Sequence, residues 1–196
     1  MSALNPAELD AAHALILHTV RQQRRVYACG NGGSAATASH LAVDLGKTAS
    51  VGRRLRPRVV SLTDNVAWLT AVANDISYDE CFAEPLRSFL VSGDLVIAIS
   101  ASGESENVVR AFEIAGRMGA ARLALVGCGG GRLAESATVA VHVDSRDYGV
   151  IESVHLAVVH LLVRLLQQSL SVRRASPLAV EKFPRPATPR PVPLSA

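Results

Sequence analysis

The sequence predicts an α/β fold, a three-layer sandwich in which a parallel sheet of about five strands is flanked by helices. Short apolar runs alternate with amphipathic helical segments along most of the chain, which is typical of parallel strands joined by right-handed crossovers. The run over residues 95–99 is continuously apolar, as expected of a strand that is buried on both faces.

The helices and strands follow from caps and periodicity. Asn5 can cap the first helix and Pro6 suits its first position. Apolar residues then recur at helical spacing, as on the helix over 107–118, which ends near Gly119. The predicted helices are 6–22, 35–47, 64–74, 78–90, 107–118 and 150–170, with a helical turn at 133–136. The predicted strands begin at residues 26, 59, 95, 123 and 139.

Length and charge predict one folded domain over residues 1–170 and a Pro/Arg-rich disordered tail over 171–196. Six of the nine prolines lie in the last 26 residues, which carry a formal charge of +4, while the remainder sums to −1. A chain segment rich in proline and charge and poor in apolar residues buries too little surface to fold. Because the folded part is not basic and has few aromatic residues, we expect no nucleic-acid partner.

Cysteine usage and hydropathy predict a soluble cytoplasmic protein. Cys29, Cys81 and Cys128 are odd in number and widely spaced, so a disulfide framework is not expected. The N-terminus lacks the apolar core of a signal peptide. His155, His160 and Arg164 interrupt the most apolar region, so we expect no membrane partner.

Two polar loops follow predicted strands and therefore lie where ligands bind in such folds, at the carboxyl ends of the strands. The loop over 30–34 combines glycines with Asn31 and Ser34, which provides a candidate anion site at a helix N-terminus. The loop over 100–105 adds the hydroxyls of Ser100, Ser102 and Ser105, which favours a phosphate monoester. The alternatives are a simple chain turn in the first loop and helix capping in the second.

Two helices carry groups that can bind a metal or move a proton. His40 and Asp44 are four residues apart and therefore on one face of a helix. This spacing suits either an ordinary ion pair or two ligands of a metal ion. On the last helix, spacing alone pairs Glu152 with His155, whereas His160 is rotated from Glu152 by about 80°. Together these nitrogen and oxygen donors suit zinc or another divalent ion.

Five segments carry a combined pattern: Cys29-Gly30-Asn31-Gly32-Gly33-Ser34-Ala35-Ala36, His40 to Asp44, Leu69-Thr70-Ala71-Val72-Ala73-Asn74-Asp75, Ile99-Ser100-Ala101-Ser102-Gly103, and Ile151-Glu152 with His155 and His160. Taken in order, they resemble the phosphoheptose isomerases, which are sugar isomerase (SIS) domain proteins. The resemblance covers about residues 7 to 170.

The resemblance implies an intramolecular oxidoreductase that converts sedoheptulose 7-phosphate to D-glycero-D-manno-heptose 7-phosphate through an enediol, in a homotetramer with active sites between subunits. It implies that Asp44 and His160 are catalytic and that one zinc ion per subunit is held by His40, Asp44, Glu152 and His160. The implied substrate contacts are Asn31, Gly32, Gly33, Asn74, Asp75, Ser100, Ser102, Ser105 and Glu152.

Three positions depart from the family pattern, which usually has Glu at Asp44, Gln at Glu152 and Thr at Ala101. Asp44 is one methylene shorter, Glu152 adds a negative charge, and Ala101 removes a hydroxyl. These changes leave open an isomerase for a different sugar phosphate. A second alternative is a non-catalytic SIS protein that binds a protein partner, of the type that associates with a replication initiator.

Overall fold

The computed structural model describes residues 4–52 and 55–171, and its centre is a five-stranded parallel sheet in the order β2-β1-β3-β4-β5. The strands are β1 (Arg25–Gly30), β2 (Arg58–Ser61), β3 (Leu95–Ser100), β4 (Ala121–Val126) and β5 (Val139–His142). All neighbouring pairs run parallel, so the carboxyl ends of the strands meet at one edge of the sheet. Gly30 pairs with Ile99, which places the residues after β1 beside those after β3.

Helices cover both faces of the sheet, so the prediction of a three-layer α/β sandwich is confirmed. The helices are α1 (Pro6–Arg21), α2 (Gly32–Gly46), α3 (Val66–Asp75), α4 (Ala83–Phe89), α5 (Glu106–Arg117), α6 (Gly131–Ser136) and α7 (Tyr148–Ser171). Side chains alternate between the two faces of each strand. Val26 and Ala28 of β1 therefore pack with α1, α2 and α7, whereas Tyr27 and Cys29 pack with α3, α4, α5 and α6.

Two predicted helix boundaries are wrong. The segment predicted as one helix over 78–90 is a 3-10 turn, Tyr78–Glu80, followed by the separate helix α4. A continuous helix would need a hydrogen bond from the nitrogen of Pro85, which has no hydrogen, and its ring would clash with the preceding turn. In contrast, α2 begins at Gly32 rather than at residue 35, because the two glycines already form its first turn after Asn31.

The last helix, α7, is 24 residues long, and by length and composition alone it could cross a membrane. In the fold, however, one side of α7 lies in the core, where Val158, Val159 and Leu162 pack against strand residues and α1 and α2. Core helices of soluble proteins pass the same test of length and composition. Except for Ser171, which ends α7, the predicted tail 171–196 lies outside the described residues.

Candidate active site

Asn31 is the single residue between β1 and α2, at the carboxyl edge of the sheet. Its side-chain amide forms a reciprocal pair of hydrogen bonds with Asn107, each 2.9 Å long. The hydroxyl of Tyr78 also donates to Asn31 Oδ1 at 3.0 Å. The side chain of Asn31 is therefore fixed from two sides, and Gly32 and Gly33 follow it in the exposed first turn of α2.

The loop between β3 and α5 holds two of its serine hydroxyls in a fixed direction. Ser100 Oγ accepts a hydrogen bond from the Gly103 amide at 3.1 Å, and Ser102 Oγ accepts one from the Glu104 amide at 3.2 Å. Because each oxygen accepts from the backbone, each hydroxyl can still donate its hydrogen to another acceptor. Ser105 occupies the N-cap of α5 without a capping hydrogen bond from its side chain, so helix capping alone does not account for the serines.

Glu104 brings a negative charge into this loop and forms an ion pair with Arg132. Arg132 Nε lies 3.1 Å from Glu104 Oε2, and the Arg132 backbone amide donates to Glu104 Oε1 at 3.1 Å. Arg132 also pairs with Glu106 at 2.7 Å; the two arginine partners Arg132 and Arg110 lower the pKa of Glu106. The Glu104 carboxylate is therefore directed to the start of α6, where it is paired with a guanidinium.

His40, Asp44 and His160 form one cluster on the adjacent helices α2 and α7. His40 Nε2 lies 2.9 Å from His160 Nε2 and 3.2 Å from Asp44 Oδ2, and His160 Nε2 lies 3.9 Å from the same carboxylate oxygen. The three ligand atoms lie within 4.8 Å of one another, so the group can hold a metal ion. Both imidazoles are about half exposed, at 45% and 53%, so the cluster is open to a ligand.

The structure brings His160 rather than His155 to this cluster. His155 is completely buried, and neither ring nitrogen has a hydrogen bond of acceptable geometry to any described residue. Burial lowers the pKa of His155, and the nearby backbone of Val126 opposes that effect only in part. His155 is therefore a neutral core residue, and the pairing of Glu152 with His155 that spacing favoured does not form the site.

Glu152 lies apart from the cluster of its own chain. Its carboxylate lies over Gly33, where an added Cβ would be 2.6 Å from the Glu152 carboxyl carbon. Eight residues separate Glu152 from His160 on α7, which is about 12 Å of helix. Gly33 of α2 faces Glu152 of α7, and His40 of α2 faces His160 of α7. The two helices therefore run side by side, and these two residue pairs lie about 11 Å apart along them.

Asn74 and Asp75 are exposed at the end of α3, where Asn74 Nδ2 donates to Asp75 Oδ1 at 2.8 Å. Their hydrogen bond is thus to each other rather than to another predicted site residue. The 3-10 turn that begins at Tyr78 follows three residues later, and Tyr78 contacts Asn31.

Three residues in contact with predicted site residues were missed by the sequence reasoning. Thr48 Oγ1 donates to Asp44 Oδ1 at 3.0 Å, a contact that the four-residue helical spacing could have indicated. Asn107 and Tyr78 contact Asn31 from 76 and 47 residues away along the chain. A local pattern in the sequence cannot predict a contact between residues so far apart along the chain.

Comparison with known proteins first identifies the class of protein. A family model described as "SIS domain" matches residues 1–127, and the chain belongs to this family. The phosphoheptose isomerase of Rhodospirillum rubrum is 38% identical over 169 residues, which cover 84% of this chain and 87% of that protein. The phosphoheptose isomerase of Mycobacterium bovis is 38% identical over 173 residues, with coverages of 85% and 86%. Within the SIS class the chain is therefore a member of the phosphoheptose isomerase family.

Solved structures agree with this assignment. The fold matches a phosphoheptose isomerase from Francisella tularensis with a TM-score of 0.80 and 29% identity, over 85% of this chain and 88% of that one. The corresponding enzyme from Neisseria gonorrhoeae matches with a TM-score of 0.77 and 29% identity, over 83% and 86%. The predicted resemblance is confirmed, and with it the prediction of a sugar-phosphate isomerase at the level of the family; the non-catalytic alternative is not favoured.

Proposed function

We propose that this chain isomerises sedoheptulose 7-phosphate to D-glycero-D-manno-heptose 7-phosphate in the cytoplasm, using the cluster of His40, Asp44 and His160 as its reaction centre. The observation that carries the proposal is this cluster of a carboxylate and two imidazoles in a chain that also has a serine loop suited to phosphate. Residues 1–170 form the isomerase domain in this proposal.

Asp44 and His160 divide the proton transfers between carbon and oxygen. The Asp44 carboxylate takes a proton from C1 of the ketose while the C2 carbonyl oxygen receives one from His160, which gives the enediol. His160 then takes the proton from the oxygen on C1, and Asp44 returns its proton to C2, which leaves the aldehyde at C1. The net change moves two hydrogens within one molecule, and it needs no external oxidant or reductant. Such acid–base steps typically contribute about 10²–10⁴ in rate.

The donor set of the cluster fits zinc, because two imidazole nitrogens and a carboxylate are ligands that zinc accepts. His40, Asp44 and His160 would hold the ion, and Glu152 is the fourth proposed ligand. His160 Nε2 can either bind the ion or transfer a proton, so in the zinc-bound form the ion would replace His160 in polarising the carbonyl oxygen. A bound zinc ion would polarise the sugar carbonyl as a Lewis acid.

Substrate binding is proposed to use the edge of the sheet on either side of β1. The hydroxyls of Ser100, Ser102 and Ser105 would donate to the phosphate, since two of them already accept from the backbone. The sugar chain would contact Asn31, Gly32, Gly33, Asn74, Asp75 and Glu152.

A homotetramer with active sites between subunits is the proposed assembly. Its support is the position of Glu152, which lies about 11 Å along the α2–α7 pair from the cluster of its own chain. A glutamate side chain does not span that distance, so a Glu152 that acts at the cluster must come from a second copy. The half-exposed imidazoles of His40 and His160 leave the cluster open to such a neighbour.

The test compares Asp44→Asn and His160→Ala with two control variants on the exposed side of α1, Asp10→Asn and His18→Ala. We expect both site variants to lose about 10²–10⁴ of sedoheptulose 7-phosphate turnover and the controls to keep it. Unchanged turnover in both site variants would refute the proposal. An assay across C5 to C7 ketose phosphates tests the sugar, and metal analysis of His40→Ala against wild type tests the ion independently of activity.

A further inference from the structure

Asn31 stands at the N-cap of α2, but its side chain does not cap the helix. An asparagine at this position usually accepts a hydrogen bond from an amide of the first turn. Here Asn31 Oδ1 accepts from Asn107 Nδ2 and from the Tyr78 hydroxyl. The side chain is therefore held in a direction that helix stability alone would not select.

Asn107 anchors this arrangement from inside the protein. It is 2% exposed, and its amide exchanges two hydrogen bonds with Asn31 and donates a third to Cys81 Sγ at 3.4 Å. Three of its four side-chain hydrogen-bonding positions are thus used. Burial raises the pKa of the Cys81 thiol, so Cys81 stays neutral beside this amide.

The contacts join the three chain segments that are proposed to bind substrate. Asn31 belongs to the first, Tyr78 and Cys81 follow the second at Asn74 and Asp75, and Asn107 lies two residues after Ser105 of the third. Tyr78 is 52% exposed, so its hydroxyl contributes at the rim of the site while Asn107 contributes from its base.

We infer that Asn107 and Tyr78 are positioning residues, which hold the Asn31 amide against the sugar without touching the substrate themselves. The inference rests on the proposed function for the identity of the reaction. Removing either contact frees Asn31 to rotate toward the helix cap, which lowers the fraction of molecules in which the amide points to the ligand.

The experiment is a double-mutant cycle with sedoheptulose 7-phosphate. One neutral hydrogen bond is worth about two- to tenfold, so we expect Tyr78→Phe to lower kcat/KM by that factor and Asn107→Leu by more. In an Asn31→Ala background the effect of Tyr78→Phe should vanish, because the residue acts through Asn31. Losses that multiply instead would overturn the inference. Tyr27→Phe is the matched control, since Tyr27 donates to the Phe89 carbonyl elsewhere in the fold.

A second measurement separates this inference from the proposed function. Hydrogen exchange of the Asn31 side-chain amide, followed by NMR without any sugar, should be faster in Tyr78→Phe and Asn107→Leu than in wild type and Tyr27→Phe. If wild type turns over no phosphosugar, the proposed function fails while the exchange result still decides the positioning. Unchanged exchange in Tyr78→Phe would contradict the inference even in an active enzyme, and it does not depend on whether Asn107→Leu folds.

Discussion

At Gly33 the missing side chain leaves room for the carboxylate of Glu152. The Glu152 carboxylate lies over its Cα, so the space that a Cβ would fill is already taken. Gly33 lies in the first turn of α2, and the crowding atoms are the end of a flexible side chain. A methyl group at this position therefore moves Glu152 rather than the backbone.

We predict that Gly33→Ala lowers isomerase activity by about a hundredfold, which is the effect of displacing a reacting group by roughly an ångström. The melting temperature should change little, because Glu152 can swing aside. The control is Gly46→Ala in the same helix, where an added Cβ meets nothing within 4 Å and alanine favours the helix. Equal activity in the two variants, measured as turnover of sedoheptulose 7-phosphate, would show that the position of Glu152 does not matter.

At the scale of single residues, the sequence predicts contacts within one helix better than contacts between distant segments of the chain. His40 and Asp44 are neighbours on one helix, so their four-residue spacing already predicts their contact. Spacing on α7 favoured His155, which the fold instead buries in the core. Asn107 and Tyr78 were missed because only the folded chain brings them to Asn31.

At the scale of elements, periodicity predicts the strands and most helices to within two residues of their observed ends. β3 was predicted at 95–99 and is Leu95–Ser100; α5 was predicted at 107–118 and is Glu106–Arg117. Both carry strong patterns, one continuously apolar and one strongly amphipathic. The errors lie where glycine or proline determines the helix boundary, at the start of α2 and at Pro85 in α4. Pairing order in the sheet is set by long-range packing, which no local pattern contains.

The helix α7 contains one polar residue on a buried face that is otherwise apolar, and this residue makes its packing depend on pH. His155 is 0% exposed, and burial lowers its pKa below the usual value of 6.5. The unfolded chain therefore binds more protons than the folded chain just below pH 6.5, so this histidine reduces the free energy of unfolding as pH falls through that value and below it.

We predict that His155→Leu raises the free energy of unfolding at neutral pH by about 1 kcal/mol or more, because it removes a buried polar group whose ring nitrogens have no well-formed hydrogen bond to the described residues. Its advantage over wild type should grow as pH falls below 6.5, since leucine does not titrate. Urea unfolding measures both effects when it is carried out at neutral pH and again at about one pH unit below 6.5. His18→Gln, on the exposed side of α1, should keep the pH dependence of wild type. The same dependence in His155→Leu would contradict this account.

For the whole molecule, the important feature is the pair of adjacent helices α2 and α7. Glu152 and the cluster of His40, Asp44 and His160 lie about 11 Å apart along the axis of this pair. The resemblance to the phosphoheptose isomerases implies one site for all four residues. Within one chain the geometry separates them, so the proposed site needs two copies of the chain. A closed homo-oligomer meets this need, because symmetry repeats each inter-subunit contact.

We predict that two inactive variants restore each other when their subunits are mixed. In hybrids of Glu152→Ala with His160→Ala, a site that takes its cluster from the first chain and Glu152 from the second is intact. Random mixing at equal amounts then gives about a quarter of the wild-type sites. The control mixes Asp44→Asn with His160→Ala, which both damage the cluster of their own chain and should not restore activity. Turnover of sedoheptulose 7-phosphate after joint refolding measures the outcome. If the first mixture shows no more activity than its parents while wild type refolds fully, Glu152 serves its own chain and the interfacial site is wrong.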